Sequence, residues 1–254
     1  MDFELRRPVV VQVNDHVWLL NDNDEATGYV VRGQDRAMVI DTMIGVVDMR
    51  REAKELVGDM PLICVNTHGH SDHIGGNWAF ETAWMHPADL PLVEDFLKTP
   101  EFMEATSKMN LHMSSFLPLE DQQVFDLGEL SIQAWHLPGH TPGEIVLLDK
   151  QDRILFTGDG IIEQLWMQLE ESLPISAEVE SLRRIKPLRA DYDTILHGHS
   201  RAPEGADLYD ELLEAAIDLA AGNTGNDVPY TWFMGTCRAH PFGKEPRRIV
   251  YDHL

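Results

Sequence analysis

The stretch Asn66-Thr67-His68-Gly69-His70-Ser71-Asp72-His73-Ile74-Gly75-Gly76 lies where a short apolar run, 62–66, gives way to a glycine-bounded turn and then to a helical pattern. On extended backbone, residues two apart face the same side, so His68 and His70 point together. Asp72 and His73 are adjacent at an expected helix start, so they diverge and cannot easily join the first pair on one ion. The spacing therefore predicts two cation sites, His68 and His70 at one, Asp72 and His73 at the other. Gathering four ionisable groups in one turn without a shared partner is costly, and a cation removes that cost.

Working outward, strands are expected at 9–13, 16–20, 28–32 and 37–41, which are β-branched or apolar runs separated by Asn, Asp and Gly. The helical spacing of Val46, Val47, Met49, Ala53, Leu56 and Val57 predicts a helix over 45–57, and the next should begin within 74–80. Residues 87–118 read as a mostly helical insert broken at Pro100, with Phe and Met residues packing in the core. Strands resume at 130–137, 144–148 and 153–157, and helices at 176–186 and 204–221 flank a strand at 192–196. A C-terminal extension, about 226–254, is expected to form two short strands around a basic turn. Strands in both halves, each followed by helices and with no low-complexity linker between, predict one layered α/β domain over residues 1–254.

His68-x-His70-x-Asp72-His73 resembles the signature of the metallo-β-lactamase superfamily. Val39-Ile40-Asp41-Thr42 is similar to that family's first motif, in which an aspartate ends a strand. Leu137-Pro138-Gly139-His140-Thr141-Pro142-Gly143 resembles the motif supplying a further histidine, and Leu155-Phe156-Thr157-Gly158-Asp159 the motif supplying a shared aspartate. Leu196-His197-Gly198-His199 resembles the last motif, whose register prefers His199 to His197. Singly, such Pro-Gly-His and Gly-Asp turns are ordinary loops. Their order and spacing along most of the chain carry the resemblance.

The resemblance implies an α/β fold of the αββα four-layer sandwich type and a dinuclear site. His68, His70 and His140 would hold one ion, Asp72, His73 and His199 the other, and Asp159 both. Two divalent ions are expected, zinc first, with iron or manganese also compatible with the donors. Each ion would keep an open position. A bridging water, its pKa lowered from roughly 15.7 to about 7, would be the hydroxide that attacks an ester, thioester, lactone or similar small-molecule bond. Asp72 is the expected catalytic side chain, orienting the hydroxide as well as ligating. Asp41 should either support a ligand or cap its own turn.

Composition narrows the partners. Forty-three acidic against 20 basic residues give a net charge of −23, which repels nucleic acid and anionic membranes at long range. A small-molecule substrate is expected, with no nucleic-acid and no membrane partner, and the oligomeric state is open. Cys64 and Cys237 stand in no CxxC pattern, the N-terminus lacks a basic-then-apolar leader, and no apolar run nears the roughly 20 residues that span a bilayer. A cytoplasmic location is expected. Among family branches, hydroxyacylglutathione hydrolases and lactonases fit best. The alternatives are an iron-dependent oxidoreductase of the persulfide dioxygenase kind, a phosphodiesterase and a non-catalytic metal-binding protein. The basic cluster 238–248, including Lys244 and Arg247, is expected at the pocket mouth, with 96–116 as a lid. Of the histidines without a role, His136 and His112 are the first to inspect.

Overall fold

Strands covered on both faces read as continuous apolar runs, and the chain is built from them. The computed structural model describes residues 5–23 and 26–253. Its first sheet has seven strands in chain order: Val9–Gln12, Val17–Asn21, Thr27–Arg32, Ala37–Ile40, Leu62–Val65, Thr82–Met85 and Ser115–Pro118. The first four pair antiparallel, and pairing is parallel from Ala37–Ile40 onward. A second, six-stranded sheet runs in the order Glu204–Gly205, Thr194–His197, Ile154–Gly158, Ile145–Asp149, Ser131–His136, Val124–Asp126.

The period of two sorts side chains between layers. Val17, Leu19, Tyr29, Val31, Met38 and Ile40 meet Ile132, Ala134, Ile145, Leu147, Ile154 and Phe156 between the sheets. The alternate residues of the first sheet, Trp18, Leu20, Val30 and Val39, pack outward with Met49 and Ala53 of the helix Met49–Val57. Those of the second, Val146, Leu148 and Leu155, pack against helices Ile175–Ile185 and Asp207–Ala220. The layers are helix, sheet, sheet, helix, as the resemblance implied.

Several sequence expectations differ from the structure. The first helix begins at Met49, not residue 45, because the Asp48 side chain accepts from Arg51 N at 2.9 Å and caps it there. The helix expected within 74–80 is instead a single turn, Ser71–Ile74, followed by a 3-10 turn, Asn77–Ala79. A Cβ on Gly76 would lie 2.4 Å from the Thr42 carbonyl oxygen and one on Gly75 2.5 Å from that of Ile44, so this glycine pair lets the two turns meet. Pro100 starts the helix Pro100–Met109 after Leu90–Leu97, and residues 87–118 end in the edge strand Ser115–Pro118.

The C-terminal segment forms three strands, not two. Val228–Trp232, Gly235–Pro241 and Arg248–Tyr251 combine with Gln164–Trp166 in a third sheet of order Gln164–Trp166, Arg248–Tyr251, Gly235–Pro241, Val228–Trp232. No helix among the described residues is long and apolar enough to cross a membrane.

Candidate metal centre

The strands Ala37–Ile40, Leu62–Val65, Ile154–Gly158 and Thr194–His197 deliver Asp41, the 66–73 turn, Asp159 and His199 beyond their carboxyl ends. The loop between Ser131–His136 and Ile145–Asp149 brings His140 to the same edge. This is where open α/β sheets place ligands.

The seven side chains singled out in the sequence converge. His70 Nδ1 lies 3.0 Å from His68 Nε2 and 3.1 Å from His140 Nε2. His73 Nε2 and His199 Nε2 each lie 3.6 Å from Asp72 Oδ2. Asp159 sits between the two groups: Oδ1 is 3.6 Å from His73 Nε2, and Oδ2 is 3.1 Å from His199 Nε2 and 3.9 Å from His140 Nε2. Three sets therefore have donor atoms close enough to share an ion: His68/His70/His140, His68/His73/Asp159 and Asp72/His73/His199. Among the described residues, His73 Nε2 and Asp159 Oδ1 are buried in this cluster without a hydrogen-bond partner. Buried, unpartnered donor atoms facing one another are what the ligand set of a cation presents. Five imidazoles with two carboxylates fit zinc, iron or manganese.

The chain fixes these rings from behind. Asp41, whose backbone is left-handed at φ 58°, accepts from Thr67 N at 2.8 Å and from Thr67 Oγ1 at 2.7 Å. Its Oδ2 also lies 2.9 Å from His73 Nδ1. These partners lie on the 66–73 turn rather than on its own, so of the two expected roles Asp41 takes the supporting one. Thr67 Oγ1 stands 3.0 Å from His68 Nδ1, and the Trp166 carbonyl accepts at 2.7 Å from His140 Nδ1. Each contact puts the proton on the rear nitrogen and leaves the forward one as a lone-pair donor. Gly198 admits no side chain, since a Cβ there would lie 2.2 Å from Asp159 Oδ1.

Burial, then repulsion from the neighbouring imidazoles, holds His68 well below the ordinary histidine range, and burial with His70 lowers His140 to about 4. At His73 burial also lowers the pKa, but Asp72, Asp159 and Asp41 outweigh it and raise it to about 10. At His199 Asp159 outweighs burial in the same way, raising it to about 9. Burial works against an ionised Asp159, yet His199 and His73 keep its pKa well below the carboxylate norm.

Three acidic residues in this neighbourhood escaped the sequence reading. Glu171 Oε1 lies 2.6 Å from His70 Nε2, which makes His70 the fourth braced histidine. Asp89 is fully buried and accepts from Gly69 N at 2.8 Å, Thr141 Oγ1 at 2.8 Å and Gly143 N at 2.6 Å, joining the His68–His70 turn to the His140 loop. Glu144, also fully buried, accepts from Asp159 N at 3.2 Å, and burial pushes its pKa up. Its one sequence signal was a carboxylate heading a buried apolar strand. Glu171 and Asp89 carried none.

Other expectations need correction. A cavity of about 410 Å³ opens on the cluster, lined also by Ile162, Gln164, Trp166, Leu169 and Glu171. Among the described residues, neither 96–116 nor 238–248 contributes to its lining. The basic tail is held elsewhere: Arg247, 3% exposed, pairs with Glu211 at 2.6 Å, Glu204 at 3.2 Å and Asp207 at 3.3 Å, and Lys244 with Asp207 at 3.0 Å. These acids lie on or beside the helix Asp207–Ala220, and their attraction decides where the tail docks. His197 is buried and its Nδ1 accepts from His199 N at 3.2 Å, so it is not in the cluster. His136 stacks on His86 at 3.9 Å, and His112 is exposed.

Comparison with known proteins agrees with the fold and with the family the motifs resemble. The family model of the Metallo-beta-lactamase superfamily matches residues 22–199. The chain is 28% identical over 204 residues to the Homo sapiens acyl-coenzyme A thioesterase MBLAC2, covering 69% of this chain and 73% of that protein. It is 27% identical over 134 residues to the hydroxyacylglutathione hydrolase GloC of Haemophilus influenzae, covering 46% of this chain and 61% of that one. Its fold is similar to that of a metallo-beta-lactamase from Pontibacter korlensis, with a TM-score of 0.65 and 16% identity over 84% of this chain and 100% of that one.

Proposed function

Since the chain belongs to the metallo-β-lactamase superfamily, we propose that it is a dinuclear metal-dependent hydrolase of small acyl substrates, with thioesters ahead of lactones and other esters. The observation that carries the proposal is the meeting of two ligand groups at Asp159, open to a cavity with Ile162, Trp166 and Leu169 on its far side. The two relatives named above, a thioesterase and a hydroxyacylglutathione hydrolase, point to the same class of bond. No lysine or arginine lines the cavity among the described residues, which disfavours the phosphodiester alternative.

In this proposal His68, His70 and His140 would hold one ion and Asp72, His73 and His199 the other, with the Asp159 carboxylate within reach of both groups. Zinc is the first candidate, with iron and manganese next. Divalent ions held there supply Lewis acidity to the scissile carbonyl and acidify a water. Asp72, one-third exposed and facing the cavity, accepts a hydrogen bond from the attacking water and aims it. Asp41, Thr67, the Trp166 carbonyl and Glu171 keep the imidazoles in one tautomer. Ile162, Trp166 and Leu169 exclude bulk water from the acyl group. Water adds to the carbonyl, the C–S bond breaks, the thiol leaves with one of the water's protons and the other passes to solvent, giving a carboxylate.

The test is a matched screen of acyl thioesters, lactones and a phosphodiester with protein reconstituted in zinc, iron or manganese, alongside elemental analysis. Thioester turnover with two ions per chain is expected. Oxygen-dependent turnover with iron alone, or phosphodiester turnover above the thioester rate, would contradict the proposal.

A further inference from the structure

The third sheet is joined to the cavity through the strand Gln164–Trp166. Gln164 and Trp166 both line the cavity, and both also reach the hairpin formed by Val228–Trp232 and Gly235–Pro241. Gln164 Nε2 donates to the Tyr230 hydroxyl at 3.0 Å. The Trp166 ring meets the Trp232 ring at 5.4 Å, edge to face, and Trp232 meets Phe233 at 4.9 Å. Trp166 and Phe233 are themselves 6.4 Å apart. The same Trp166 holds His140 through its carbonyl, so one residue joins the ligand cluster to an aromatic ledge.

That ledge is left open. Phe233 is 83% exposed and Met234 73%, the two most exposed large apolar side chains among the described residues. A two-residue hairpin tip is ordinarily Asn-Gly or Gly-Gly, which tolerate the positive φ that the favoured turns need; Phe233-Met234 brings instead a cost in exposed apolar surface. Such surface beside a pocket marks a binding site.

We propose that Trp232, Phe233 and Met234, together with Trp166, form the binding site for the alkyl chain of an acyl substrate whose carbonyl lies at the ligand cluster. This rests on the acyl-hydrolase reading above and adds a chain-length preference to it. The occupant is an alkyl chain for two reasons. The ledge is continuous, ring to ring, with the cavity where the reacting carbon must sit. It also offers nothing to a phosphate-bearing group: residues 230–236 carry no charged side chain. The nearby Arg238 is taken up by Asp227 at 3.7 Å and by the Tyr251 ring. A flexible thioether and three aromatic rings accept aliphatic chains without fixed geometry.

The test compares zinc-loaded wild type with a Trp232→Ala/Phe233→Ala variant. One readout is the ratio of kcat/KM for dodecanoyl over acetyl thioesters of the same thiol. The other is the ratio of calorimetric Kd values for acetate over dodecanoate, which present the same carboxylate and need no turnover. Both ratios should exceed unity in the wild type and fall by about tenfold or more in the variant. Unchanged ratios would overturn the proposal, as would a wild type that does not distinguish dodecanoate from acetate. A dimeric wild type made monomeric by the substitutions would assign the ledge to a second copy of the chain and overturn it as well. If no thioester is turned over but dodecanoate binding depends on the ledge, the thioesterase reading fails and the alkyl site stands.

Discussion

On one wall of the cavity the polar side chains are held from behind: His73 by Asp41, His68 by Thr67, His140 by the Trp166 carbonyl, His70 by Glu171. On the other wall Ile162, Trp166 and Leu169 present apolar side chains, those of Ile162 and Trp166 set by packing, and the neighbouring hairpin leaves Phe233 and Met234 in solvent. The difference teaches how the labour is divided. Hydrogen bonds with fixed directions set donor atoms to within tenths of an ångström, as ligation requires. Dispersion and apolar burial tolerate shape changes, as a surface for variable substrates can. Substitutions on the first wall should therefore abolish chemistry, and those on the second should alter preference.

The largest effect is expected at the shared carboxylate. Asp159→Ala should lose both ions and thioester turnover together, a drop beyond the roughly 10–100-fold typical of groups behind a ligand, while far-ultraviolet circular dichroism keeps the native shape. His70→Ala should behave alike. Gly198→Ala comes next, since its Cβ would meet Asp159 Oδ1 at 2.2 Å and His73 Cε1 at 2.5 Å; elemental analysis should show lost metal without global unfolding. Glu171→Ala should weaken metal affinity about 10–100-fold in a chelator competition, and Glu171→Gln, which keeps an acceptor oxygen, should recover part of it.

Smaller effects are expected away from the cavity lining. Glu178 is fully buried, neither carboxylate oxygen has a partner among the described residues, and burial raises its pKa well above the glutamate norm. A raised folded-state pKa contributes stability that is complete below the unfolded value of about 4.3 and is lost as pH climbs toward the folded value. Glu178→Gln should therefore raise the Tm at pH 8, and the gain should shrink near pH 4. The least effect on catalysis is expected in the tail. Lys244→Ala and Arg247→Ala should leave KM unchanged, while Arg247→Ala lowers stability by about 1–3 kcal/mol through its lost charged hydrogen bonds.

The same division decides what could be read in the sequence. The ligand wall is written in short motifs, because neighbours along the chain, such as His68, His70, Asp72 and His73, must sit at fixed offsets on one turn. The strands were legible for a similar reason, since apolar runs such as Ile145–Asp149 are local, and the sandwich followed from the resemblance that the motifs carry. Glu171 braces His70 across 101 residues, and Asp89 reaches Thr141 across 52, so nothing near either one announces its role. The tail misled for a related reason. A basic cluster reads as an anion site until the acids of a distant helix are seen to hold it.

The most direct measurement is anomalous diffraction at the zinc edge from crystals of zinc-loaded protein. Two peaks are expected, each about 2.0–2.2 Å from its ligands: one against His68 Nε2, His70 Nδ1 and His140 Nε2, the other against Asp72, His73 and His199, with Asp159 touching both. An absence of peaks among these seven side chains, or zinc held elsewhere while they stand apart, would contradict the shared centre.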